Sequence, residues 1–229
     1  MRFLIFSVCS LALFVGTNRA EDPTKGKTYK TPKAAFEAMR NSYRAMNFAE
    51  FYKMLTKRSQ QQALTETLSL AMSVYHEEKT PDNPQAKEMI ARLRKSLTKF
   101  GLTKEKLLAI EKFNGKGRKD REAYYAGVAR KLIKDLPNFV DAMAKVMFKM
   151  QARKGGKLDL ELVGDLKVKG NVARGKMKLH LGDEPESQQT IMFVKVGNGW
   201  KVAMSEAQEE DRASRKVDTL GVVEPKEKD

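Results

Sequence analysis

From residue 31 to about residue 153, apolar side chains recur every three or four positions. After Gly155-Gly156 they recur every second position. The first period is that of helices with one buried face, the second that of strands with one buried face. Thr31-Pro32 reads as a helix start, Thr as the cap and Pro at the first helical position, with Phe36, Met39, Tyr43 and Met46 as its apolar side. Asn47 caps a second, short helix carrying Phe48, Phe51, Tyr52 and Leu55. Leu64, Leu68, Met72 and Tyr75 make the next stripe, broken by Thr80 to Pro84. Met89, Ile90, Leu93 and Leu97 follow, ended by Gly101. Three more helical stretches are expected: one from Thr103 with Leu107, Leu108 and Ile110, one over Tyr124 to Ile133, and one opened by Pro137. The last carries Val140, Met143, Val146, Met147 and Met150, a stripe that fits core packing first and an adaptable surface for an apolar ligand second. Asn114 to Lys119 reads as a basic loop.

Beyond Gly156, Leu158, Leu160 and Leu162 alternate with Asp159 and Glu161, and Leu166 and Val168 with Lys167 and Lys169. After a Gly170-Asn171 turn, Met177, Leu179 and Leu181 alternate with Lys176, Lys178 and His180. Ile191 to Val196 is a denser apolar run, and Gly197-Asn198-Gly199 is a hairpin signal before Trp200-Lys201-Val202. The fold class is therefore α+β: N-terminal helices, about six, followed by a four- to five-stranded antiparallel sheet with one face covered by those helices.

The ends of the chain read differently. Met1-Arg2, the apolar run Phe3 to Val15 and the exit to Ala20 have the order of a secretory signal peptide. The run is short for a membrane span, so the expectation is an exported protein, periplasmic or extracellular, cut near Ala20, with an uncleaved anchor as the lesser alternative. Residues 21–30 read as a linker, 31–208 as the folded unit, and 209–229 as a charged flexible tail.

Two stretches carry a family resemblance. Thr31 to Thr56, with its "TP, helix, polar turn, helix, LT" order, and Thr190 to Val202, in which Trp200 follows a Gly-rich turn, together resemble secreted bacterial members of the nuclear transport factor two-like superfamily, the cystatin-like cone. The resemblance implies a curved antiparallel sheet wrapped around the first helices and enclosing a cone-shaped cavity. Residues 57–156 then form a large helical insertion, conceivable as a subdomain. The residues assigned to the cavity on this basis are Phe36, Met39, Tyr43, Phe51, Tyr52, Phe193 and Trp200.

The chain has 229 residues, one Cys and two His, which removes disulfide frameworks and Cys- or His-based metal sites from consideration. No phosphate-binding loop, nucleophile elbow, zinc-protease or dinucleotide-binding motif is present. No catalytic residue, metal or cofactor is assigned. Some enzymes of the resembled superfamily pair a carboxylate with a Tyr hydroxyl, which would make Asp159 or Glu161 with Tyr43 or Tyr52 the pair here. The strand alternation turns both carboxylates away from the leucine face.

The net charge is +15. Residues 31–156 carry 26 basic and 13 acidic side chains, whereas residues 157–208 carry 8 and 7. Such a helical region attracts anionic surfaces, and Lys116, Arg118 and Lys119 in the basic loop are the candidate anion contacts. The aromatics are not interleaved with basic residues as a stacking platform for nucleic acid requires, so no specific nucleic-acid partner is expected. The leading reading is an exported, non-enzymatic binding or interaction module, its partner a small apolar ligand or an anionic component of the cell envelope. The alternatives are an isomerase or hydratase working inside the cone and an electrostatic binder of envelope polyanions.

Overall fold

The computed structural model describes residues 26–76, 83–111, 118–152, 158–181, 187–204 and 207. The expected signal peptide, the expected tail and Lys116 lie outside them. Among the described residues there are seven helices and then four strands, one helix for each of the helical stretches the periodicity marks. In chain order the helices are α1 (Pro32–Arg44), α2 (Phe48–Met54), α3 (Lys57–His76), α4 (Pro84–Lys99), α5 (Lys104–Glu111), α6 (Arg118–Leu132) and α7 (Leu136–Ala152). The strands are β1 (Leu158–Lys169), β2 (Val172–Leu181), β3 (Ser187–Val196) and β4 (Gly199–Val202).

The helix starts follow local chemistry. Thr31 Oγ1 accepts from Ala34 N at 3.1 Å with Pro32 behind it, and Asn47 Oδ1 accepts from Glu50 N at 3.1 Å. Asn83 caps α4 in the same way, 2.8 Å from Gln85 N, so the Pro-rich break after α3 also serves as the start of the next helix. Gly101 ends α4 at a positive φ of 70°. Arg118 and Lys119 belong to the first turn of α6 rather than to a loop, because the helical hydrogen bonding begins earlier than the apolar stripe that announces it.

The sheet is a meander, β1-β2-β3-β4, antiparallel throughout. The two alternating runs around Leu160 and Val168 form one strand, not two. A register irregularity between Val163 and Lys167, with Gly164 at φ 73°, joins them. Cross-strand partners place Leu160 beside Leu179, Met177 beside Gln189 and Ala173 beside Phe193 on one face. That face meets the helices. On the opposite face, Met192 is buried under Ala203 and Ala207 in a small separate cluster.

One helix, α1, packs on both edge strands, β1 and β4. Edge strands of a four-stranded sheet are about 14 Å apart along the sheet, so contact with both means that the sheet curves around α1. The β4 edge is closed by backbone pairing. Trp200 N donates to Tyr29 O at 2.7 Å, Tyr29 N to Trp200 O at 3.1 Å, and Thr56 N to Val202 O at 2.8 Å. Residues 26–30, expected to be linker, are thus tied to the fold at Lys27 and Tyr29. Side chains from all seven helices and all four strands belong to one contiguous core.

Candidate functional site

The described residues enclose a cavity of about 450 Å³, within the range usual for small-molecule sites. Its walls are α2, α3, α7 and the helix-facing side of β1 to β3. The sheet supplies Leu160, Met177, Leu179 and Gln189. Helix α7 supplies Val140, Met143, Ala144, Met147 and Phe148, so the methionine stripe of this helix is both core and cavity wall. At one end four aromatics pack on one another. Phe48 and Phe148 are stacked at 4.9 Å between ring centroids, and Tyr43 meets Phe51 edge-on at 4.9 Å.

The remaining wall is α3, and it is polar. Ser59, Gln62, Glu66 and Ser73 recur at helical spacing on one side of this helix, interleaved with Ala63 and Leu70. The apolar stripe Leu64 and Leu68 is fully buried on another side. Helix α3 therefore has two inward faces, one closing the core and one lining the cavity. Gln62 Nε2 donates to Glu66 Oε1 at 3.0 Å, and Glu66 Oε2 is buried. Glu66 is the only side chain of formal charge on the described cavity wall.

Helix α7 reaches this position through Asp141. Its Oδ1 accepts from Phe48 N at 2.9 Å and Ala49 N at 3.4 Å, at the positive N-terminal end of α2. Its Oδ2 takes Lys145 Nζ at 2.7 Å. This contact fixes α7 against α2 across a long stretch of sequence and so sets the width of the cavity.

Of the residues expected to line a cavity, Tyr43 and Phe51 do. Phe36, Met39, Tyr52, Phe193 and Trp200 are not on the wall; they are buried in the core. The space between α1 and the sheet is filled by such side chains, and the void lies beside it, under the helices of the expected insertion. Burial pushes the Tyr52 phenol up to about 12, which fits a core residue. Tyr43 stays half-buried at the aromatic end.

Asp159 and Glu161 face away from the leucine face, as the alternation requires. Asp159 is held by Arg44 and Arg40 of α1, and the hydrogen bonds from these guanidinium groups keep its carboxyl well below the usual carboxylate range. Glu161 lies 3.0 Å from His180 on the same outer face. Neither carboxylate reaches the cavity. Lys167, Lys169 and Lys176 are exposed on the strands. Arg118 and Lys119 open α6, while Lys116 falls outside the described residues, so the anion site expected from all three is not assembled in the described structure. Among the described residues no group of three or more His, Cys, Asp or Glu could hold a metal ion, and no helix is long and apolar enough to cross a membrane.

Glu66 was not legible as a site residue from periodicity. It falls outside the Leu64, Leu68, Met72 stripe, where polar residues are ordinarily solvated. The available signal was the sequence Ser59, Gln62, Thr65, Glu66, Ser69 and Ser73, a second stripe of small and uncharged polar residues with one carboxylate and no Lys or Arg.

No protein-family model, no curated protein and no solved structure matches the chain.

Proposed function

We propose that this protein is an exported, non-enzymatic binding module, related in plan to the nuclear transport factor two-like cone, that holds a small, largely apolar molecule between α2, α3, α7 and the sheet. The observation that carries the reading is the cavity of about 450 Å³ walled by Met143, Met147, Phe148, Leu160, Met177 and Leu179. An empty space of that size costs the fold the dispersion contacts of its lining. Occupancy by a ligand restores those contacts and releases water from apolar walls. The methionines of α7 adapt to irregular apolar shapes better than branched residues would.

The test is native mass spectrometry of protein purified gently from the exported fraction of its own cells. The expected result is a chain beginning near Glu21 with an additional mass that leaves on denaturation. Ala63→Phe, which places a large ring in the cavity, then removes the added mass while the fold persists. A bare mass from native protein, together with no uptake of added apolar compounds, overturns the reading.

A second reading is favoured by one observation. Glu66 and Tyr43, a carboxylate and a phenol, line the same cavity, and groups of these two kinds can serve as general base and general acid. The two readings separate on the released molecule. A binding module returns its ligand unchanged, and an enzyme does not.

A further inference from the structure

The cavity has a polar wall and an apolar one, and neither offers an occupant a counter-charge. Helix α3 lines it from Ser59 to Ser73, about 21 Å at the helical rise, so the space is long for its volume. The described wall contains no Lys, Arg or His. Its one carboxylate, Glu66, accepts from Gln62 at 3.0 Å and has a further interaction, and its Oε2 is buried beyond the reach of a molecule in the cavity. The hydroxyl protons of Thr67 and Ser73 go back to Ala63 O and Leu70 O, at 2.7 and 2.8 Å. Ser59 Oγ accepts from Thr56 Oγ1 at 3.0 Å. The sheet adds one polar side chain to the described wall, Gln189. Its register beside Met177 puts it on the helix-facing side, half-buried. A primary amide carries two donors and an acceptor in one uncharged group.

Resting on the binding reading above, we propose that the cavity takes an uncharged linear amphiphile, an alcohol with one long hydrocarbon chain. The chain lies against Met143, Met147, Leu160 and Leu179, and the hydroxyl meets the Gln189 amide. A fatty acid or an alkylammonium ion would bury its charge where the described wall supplies no accessible opposite charge, which costs free energy. A hydroxyl needs only a donor and an acceptor, and one amide supplies both. An ether of the same size cannot donate, so it leaves the amide oxygen without a partner. The volume holds on the order of fifteen small non-hydrogen groups at the space a liquid water occupies, so a chain of about ten carbons with one hydroxyl fits.

Four probes of matched size decide it: decanol, its isomer methoxynonane, decanoate and decylamine, each below its solubility and aggregation limits. They are titrated into the purified full chain by calorimetry at about pH 8, where the last two are charged, and at an ionic strength high enough to screen the basic surface. Decanol is expected to bind tightest, by about threefold over methoxynonane and by at least about tenfold over either charged probe. Gln189→Leu is expected to bring decanol and methoxynonane level, with Gln189→Met as the second variant should the first not fold. Ala63→Phe is expected to abolish all four. A charged probe that matches or exceeds decanol overturns the proposal and leaves the binding reading standing. So does equal binding of decanol and methoxynonane by the unaltered chain, or a decanol preference that survives the loss of Gln189. Failure of all four to bind overturns both.

Discussion

Arg44 of α1 and Asp159 of β1 meet in a parallel, two-pronged pair, Nε to Oδ1 and Nη2 to Oδ2, both at 2.7 Å. Arg40, one turn earlier on α1, donates to the same two oxygens at 3.0 and 3.3 Å. One carboxylate thus receives four donors from one helix and fixes α1 along the first edge strand, while Tyr29 and Thr56 fix the chain along the other. The curvature of the sheet around α1 is held from both sides.

This arrangement sets a pH dependence. The folded pKa of Asp159 lies below its unfolded value, so the ionised group favours the fold. The contribution is complete above about pH 5 and declines as the pH falls through and below the ordinary carboxylate range. Asp159→Asn is expected to lower Tm by about 2–4 °C at pH 7. The gap between wild type and variant should narrow steadily towards about pH 2. Thermal melts across that range check both statements. A gap that widens on acidification contradicts the assignment.

Asp141 ties α7 to the start of α2, and the cavity lies between those helices. Asp141→Ala leaves Phe48 N and Ala49 N without that acceptor and is expected to cost about 1–2 kcal/mol in urea denaturation. Asp141→Asn keeps an oxygen at the Oδ1 position and should recover a large part of the loss. The Ala variant should also weaken ligand uptake more than its stability loss explains, because α7 carries five residues of the apolar wall.

The two inward faces of α3 predict unequal costs for the same substitution. Leu68 is fully buried in the core, and Leu68→Ala should cost about 2–5 kcal/mol. Leu70 borders the cavity and is half-buried, so Leu70→Ala enlarges an existing space and should cost well under half as much. Equal losses in chemical denaturation would place Leu70 in close-packed core and argue against the cavity.

Gly199 sits where the N-terminal segment crosses β4. A Cβ there would lie 2.5 Å from Thr28 Cβ and 3.3 Å from Tyr29 N. Gly199→Ala should therefore push residues 28–29 off the sheet edge and cost about 1–3 kcal/mol, with faster amide exchange at Tyr29 and Trp200. Gly197, at φ 58° with open space around it, is the matched control. Gly197→Asn should cost under about 1 kcal/mol, because Asn tolerates that conformation.

The sequence by itself determined the elements and their order. Thr31-Pro32, Asn47 and Asn83-Pro84 mark helix starts through side-chain oxygens that reach only two or three residues ahead. The switch from a period near 3.6 to a period of 2 at Gly155-Gly156 fixed the helix-to-strand boundary, and the alternation placed Asp159 and Glu161 away from the leucine face. These are local facts, set by neighbours within one or two turns. Only the tertiary structure decided which apolar side chains fill the core and which border a void. Phe36, Met39, Phe193 and Trp200 carry the same pattern signal as Tyr43 and Phe51, yet the first four are close-packed core and the last two line the cavity. Nothing local distinguishes them, because a cavity is the volume left when elements distant in sequence meet imperfectly. Glu66 shows the same limit from the polar side. Periodicity turns it outward on α3, and it becomes the charged group of a site only because α7 and the sheet close over that face.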